Sequence, residues 1–171
     1  MRKFLICKSP VVYLGVLLVL LALRPLTGLA QDNVTLAIFQ FRPESIEAMG
    51  YESDVMLAVR NEIGSRDAIR LIPKRAMEDV LAQKDIDQSY SITNAIQAGQ
   101  LLSVRFVLIG TVRKHEALIE AEMKLVDVNA GVEVGAWHTS YRSRNEIDKA
   151  TATLVEEIVV VAALSISLRL R

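Results

Sequence analysis

The residues able to do chemistry in this chain are few, and their spacing is uninformative for catalysis. It has two histidines, His115 and His138, and one cysteine, Cys7. Neither histidine has a second histidine or a cysteine at metal-ligand spacing, and neither sits in an H-E-x-x-H pattern. Glu120 and Glu122 form a close carboxylate pair, and Glu156 and Glu157 form another. General acid–base work needs a carboxylate desolvated in a cleft. Glu120 and Glu122 instead alternate on the polar side of a strand pattern, and Glu156 and Glu157 fall on a helix pattern. The chain has no G-x-G-x-x-G, no G-x-x-x-x-G-K-[ST] and no G-x-S-x-G. Scattered serines define no Ser-His-Asp set. No catalytic, cofactor-binding or metal-binding residue is assigned, and the expectation is a protein that is not an enzyme.

Residues 1–30 place the chain. Arg2, Lys3 and Lys8 precede the apolar run VVYLGVLLVLLAL, and Gly28-Leu29-Ala30 closes the stretch with small residues. This is the plan of a cleaved secretory signal, 1–30. The run is shorter than the roughly 20 residues of a spanning helix, so an uncleaved inner-membrane anchor is the lesser alternative. Cleavage leaves residues 31–171 as one domain in the periplasm, long enough for a core. Residues 1–30 hold four of the 20 basic groups and none of the 20 acidic ones, so the exported chain has a net charge of about −4. That is no footprint for nucleic acid. Cys7 departs with the leader, so disulfide and thiol chemistry depart too. It also precedes the apolar run, where a lipoprotein signal would not have its cysteine. Membrane contact is then limited to the signal segment or a membrane-bound partner.

The elements that must position any site follow from periodicity. NVTLAIFQF (33–41) is almost continuously apolar, as in a central strand covered on both faces, and Arg42-Pro43 should end it. Residues 45–65 read as a helix with Val55, Val59 and Ile63 on one face. AIRLI (68–72) is a short strand, and 74–84 a helix with Met77, Val80 and Leu81. A second helix fits 91–102, with Ser91 as N-cap and Ile92, Ala95, Ile96 and Gly99 on one face. Gly99 reads as a point of close helix–sheet packing. RFVLIGTVRK (105–114) is a dense apolar strand. ALIEAEMKLVDV (117–128) alternates, with Ile119, Ala121, Met123 and Leu125 inward and Glu120, Glu122 and Lys124 outward. Asn129-Ala130-Gly131 is a hairpin corner with Gly131 suited to positive φ. VEVGAWHTSY (132–141) returns, and a helix begins near Glu146. The tail SISLRLR reads as the end of that helix or as a short pairing strand. The order is β-α-β-α-α-β-β-β-α, a single-domain α/β sandwich on a mixed sheet with a C-terminal meander, then a helix.

Trp137 is the only tryptophan. It is in phase with Gly135, Thr139 and Tyr141, and reads either as a core residue packed over Gly135 or as an anchor for a partner. The candidate contact residues are Glu120, Glu122, Lys124, Trp137 and Tyr141 on the hairpin, with Leu168 and Leu170 in the tail.

The order of these segments resembles the TolB amino-terminal-domain-like group, which includes the soluble core of CsgG, LpoB and FlgO. The resemblance rests on Ala37–Phe41 as the "VAVLPF"-type strand and Arg75 to Leu81 as the strand-Arg-helix segment. Ala98 to Val112 matches the "iG..lgadyvl.G.v" unit, and Met123 to Trp137 the "v.l.LvD..tGe...W" unit. It spans residues 33–160. It implies an extracytoplasmic, non-enzymatic α/β module that works by contact with an envelope protein or by self-association. The lack of a lipidation cysteine and of pore-hairpin insertions departs from LpoB and CsgG. A small-ligand-binding or enzymatic domain, or a ring-forming subunit of a secretion assembly, are the alternative readings.

Overall fold

The computed structural model describes residues 34–84 and 90–167. The predicted signal segment 1–30 and the tail residues Leu168 and Leu170 lie outside the described residues. Among the described residues, six strands and four α-helices follow one another in the order the sequence predicts, with one added short strand. They are β1 Val34–Ile38, β2 Arg42–Pro43, α1 Tyr51–Gly64, β3 Ile69–Leu71, α2 Lys74–Gln83, α3 Ile92–Leu101, β4 Phe106–His115, β5 Leu118–Asp127, β6 Val132–Tyr141 and α4 Arg144–Ser167. The sheet order is β3-β1-β4-β5-β6, with β2 against β4. β1 is parallel to β3 and β4, whereas β4, β5 and β6 form an antiparallel meander. The sheet is therefore mixed.

Each face of the sheet has its own helix pair. Leu36, Ile38, Phe106, Leu108, Ala121 and Met123 pack under α1 and α4. Ala37, Val107, Ile109 and Val126 pack under α2 and α3 through Met77, Leu81, Ala95 and Ala98. Burial on both faces is why β1 reads as an unbroken apolar run. Helix α4 buries Ile147, Thr151, Leu154, Val155, Ile158 and Ala162, a helical stripe on one side. Among the described residues no helix is long and apolar enough to cross a membrane.

The structure differs from the sequence reading at three places. Arg42-Pro43, expected to end the first strand, resumes the ladder as β2, with Arg42 opposite Thr111. Phe41 turns inward against Gly110, where any Cβ would collide with its ring, so a phenylalanine and a glycine set the offset between β1 and β2. The helix expected over 45–65 is broken. Ile46–Ala48 forms a 3-10 turn, and Gly50 at φ +94° redirects the chain into α1. On α3 the buried face is Ala95, Ala98 and Gly99, while Ile92 is exposed. Gly99 presses on Val128 and Val107 so closely that a Cβ has no room, so α3 lies closest to the sheet at this residue. The Ser91 hydroxyl caps α3 by accepting the Asn94 N–H, as expected.

The meander corner is built as read. Gly131 lies at φ +69°, its N–H reaches the Asp127 carbonyl at 2.8 Å, and the Asp127 carboxylate accepts the Ala130 N–H at 2.9 Å.

Candidate functional site

Helices α2 and α3 cover only part of their face of the sheet. Beyond them β4, β5 and β6 present a polar surface whose rows are set by register. Thr111, Glu122 and His138 form one row, and Arg113, Glu120 and Ser140 the next. Glu44, just after β2, pairs with Arg113, its Oε2 lying 3.0 Å from Arg113 Nε. These groups surround a shallow hollow of about 60 Å³, room for little more than ordered water.

One edge of this surface is closed by Tyr90. Its hydroxyl donates to Glu122 Oε1 at 2.7 Å, and the Lys124 ammonium sits 4.9 Å from its ring centroid. Lys124 Nζ lies 3.4 Å from Glu122 and 4.0 Å from Glu133. The Tyr90 hydrogen bond, reinforced by Lys124, holds the Glu122 carboxyl below the usual carboxylate range against a smaller effect of burial. Burial first, and then the hydrogen bond to Glu122 and its charge, push the Tyr90 phenol well above its ordinary range. A carboxylate kept charged beside a phenol kept neutral is the reverse of a pair poised to exchange a proton near neutral pH. Among the described residues no group of three or more His, Cys, Asp or Glu side chains could hold a metal ion.

The hairpin residues singled out from the sequence divide between two faces. Glu120, Glu122 and Lys124 lie on the polar surface just described, each half-buried. Trp137 pairs with Met123 and Tyr141 with Ile119, which places both on the opposite face, under α4. Tyr141 is a correction: it is fully buried and belongs to the core, so it presents no contact surface. Burial raises its pKa. The phase within β6 was legible, but which face that phase meets depends on pairing with β5. Trp137 combines its two sequence readings. It is half-buried against the core, and its indole occupies the space where a Gly135 Cβ would stand. Its other side, with His138 and Thr139, meets Ala150, Thr153 and Glu157 of α4 around a hollow of about 180 Å³.

A third feature was not expected. Ile46 and Met49, on the 3-10 turn, are 79% and 66% exposed, and Leu57 of α1 is 54% exposed. Gly50 adjoins the Arg144 guanidinium, which lines with Leu57 and Ala58 a hollow of about 310 Å³ between α1 and α4. Arg144 is anchored there: Nε is 2.6 Å from Asp54, and the guanidinium lies 4.8 Å from the Tyr51 ring centroid. In a continuous helix Ile46 would share the exposed side of Leu57, eleven residues on, and the break at Gly50 instead places it with Met49 at the 3-10 turn.

No protein-family model matches the chain, and no curated protein matches its sequence. Solved structures do match. The LpoB C-terminal domain from Escherichia coli superposes with a TM-score of 0.56 at 12% identity, over 65% of this chain and 84% of that one. Lipoprotein GNA1162 from Neisseria meningitidis gives 0.52 at 14% identity, over 73% of this chain and 96% of that one. TolB from Acinetobacter baumannii gives 0.54 at 12% identity, over 76% of this chain but 28% of that one. The chain has the α/β fold that the LpoB C-terminal domain and a part of TolB share.

Proposed function

We propose that this chain is an exported adaptor or assembly factor that works in the periplasm by binding an envelope protein, with residues 1–30 as its cleaved signal. The observation that carries the reading is the exposure of Ile46, Met49 and Leu57, of which Ile46 and Met49 are the two most exposed large apolar side chains among the described residues. Exposed apolar groups rimmed by charge are what a protein partner buries, and their desolvation supplies the driving force. The rim here is Arg144, Asp54 and Lys114, which also holds Tyr51 in place at 5.7 Å. The polar hairpin face with Glu120, Glu122 and Lys124 is a second contact region in this reading, and the tail residues Leu168 and Leu170 a third. The likeness in fold to the LpoB C-terminal domain and to TolB supports an envelope setting.

The test is photo-crosslinking in growing cells. A photo-reactive residue replaces Met49 in one strain and Asp79, on the exposed side of α2, in another. The expected result is a discrete adduct with a different envelope protein from position 49 and none from 79. Equal labelling at both positions, or none at either, overturns the reading. Sequencing of the exported protein should find Gln31 at its amino terminus.

A further inference from the structure

We propose that the outer edge of β6 pairs with the same strand of a second copy, making a two-fold dimer with one continuous sheet. The sheet has two edges, and they differ. β3 offers three residues and is followed by Pro73, whereas β6 offers ten. Natural edges are blunted by lysine, by proline or by covering elements. β6 has no lysine, arginine or proline, and no described strand lies on its outer side. A bulge at Val134 bends only its first residues, because Leu125 pairs with Gly135 and Val126 with Glu133. Gly135 to Tyr141 remains a regular edge whose outward backbone groups can form an antiparallel ladder.

The occupant is identified by α4. The chain leaves β6 at Tyr141, and Trp137 meets α4 at Ala150, Thr153 and Glu157, so α4 doubles back along β6. Residues three, four and seven apart share one side of a helix. Thr153, Glu157, Val160 and Leu164 therefore form one stripe, with Lys149 at its start; Thr153 and Glu157 line the Trp137 hollow, Lys149 and Val160 lie at the stripe's outer, solvent-facing border, and all five are exposed. A two-fold axis through the middle of the β6 edge, at the level of Trp137, brings the two stripes together antiparallel about Thr153. Residues equally spaced from Thr153 then meet, so Glu157 faces the partner's Lys149, and Lys149 faces the partner's Glu157. The surface is complementary to itself, as a two-fold interface requires. It would also cover Trp137 from the open side. This surface is separate from Ile46 and Met49, so the dimer does not depend on the partner proposed above.

The experiment uses the full chain with Cys7→Ser. Thr153→Cys, at the axis, should give a disulfide-linked dimer under mild oxidation in cells, and Asp79→Cys should not. By sedimentation of the purified full chain, the protein should have twice the chain mass. His138→Lys places a lysine on the edge opposite Glu122, where the fold accepts it, and should return the protein to a monomer with an unchanged circular dichroism spectrum. Glu157→Lys should weaken the dimer on the order of tenfold, and adding Lys149→Glu should restore it. A monomeric wild type overturns the proposal and leaves the β6 edge to a foreign strand. A dimer indifferent to both His138→Lys and the charge exchange overturns it as well, because another surface must then hold the copies together.

Discussion

The Trp137 indole lies against the bare α-carbon of Gly135, two residues back on the same face of β6, where a Cβ would overlap three of its ring carbons. This contact fixes the only tryptophan of the chain at the border between core and edge. Gly135→Ala should push the indole outward. The obstruction is the far end of a side chain that can rotate, so the cost should stay near the lower end of overpacking, about 1 kcal/mol. Tryptophan emission should shift to longer wavelength as the ring is exposed. An unshifted spectrum would mean that the indole does not rest on Gly135.

Gly99 gives the opposite case, because its obstruction is not a flexible tip. Its α-carbon faces Val128 and Val107, two branched side chains anchored in strand and corner. Alanine gains about 1 kcal/mol of helix propensity, but overpacking costs about 1–3 kcal/mol. The second effect should win, and Gly99→Ala should lower the urea midpoint. Val128→Ala in the same chain should recover part of the loss. If Gly99→Ala raises the midpoint, the close approach of α3 to the sheet is wrong.

Tyr141 tests the corrected assignment of the hairpin. A surface tyrosine could be replaced freely, whereas a core one could not. Tyr141→Ala should cost about 3–5 kcal/mol through its cavity, measured by denaturant unfolding. Tyr141→Phe should stay within about 1 kcal/mol, because it removes only the hydroxyl and keeps the packed ring. A harmless alanine would return Tyr141 to the surface.

Exchange of Glu120, Glu122 and Lys124 together for glutamine should leave the fold intact, because all three stand on the outer side of β5. The Glu122–Tyr90 bond should still be visible in the pH dependence. The Glu122 pKa is depressed in the fold, so its contribution is present above the ordinary glutamate range and is lost as pH falls through the folded pKa. The Tyr90 pKa is raised, so its contribution is complete below the ordinary tyrosine range and is lost as pH rises toward the folded pKa. Glu122→Gln should therefore flatten the acid limb of stability against pH, and Tyr90→Phe the alkaline limb. Glu122 is half exposed, so solvent screening keeps the acid effect small. Identical acid limbs in wild type and Glu122→Gln would deny the hydrogen bond its role.

Much of this architecture is legible in the chain because local rules and global packing agree. The alternation of Ile119, Ala121, Met123 and Leu125 with Glu120, Glu122 and Lys124 is a property of one strand, and the structure keeps it. The Gly131 corner and the Ser91 cap are similarly local. The break at Gly50 was missed because the apolar spacing of Val55, Val59 and Ile63 continues a helix whether or not Ile46 joins it. The candidate surface was legible only in part, since the exposure of Ile46 and Met49 depends on what does not pack against them among the described residues.

The sequence by itself determined the order of the main elements, the apolar side of β5, and the absence of any linear motif for catalysis or metal binding. These follow from residue type and from periods of 2.0 and 3.6, which need no partner to be read. Only the tertiary structure decided that Trp137 and Glu122 lie on opposite faces, that Tyr141 is core, and that β6 is the last strand of the sheet among the described residues. Those are facts of register and strand order. They depend on which strand pairs with which, and pairing joins residues far apart in the chain, so no local pattern carries it.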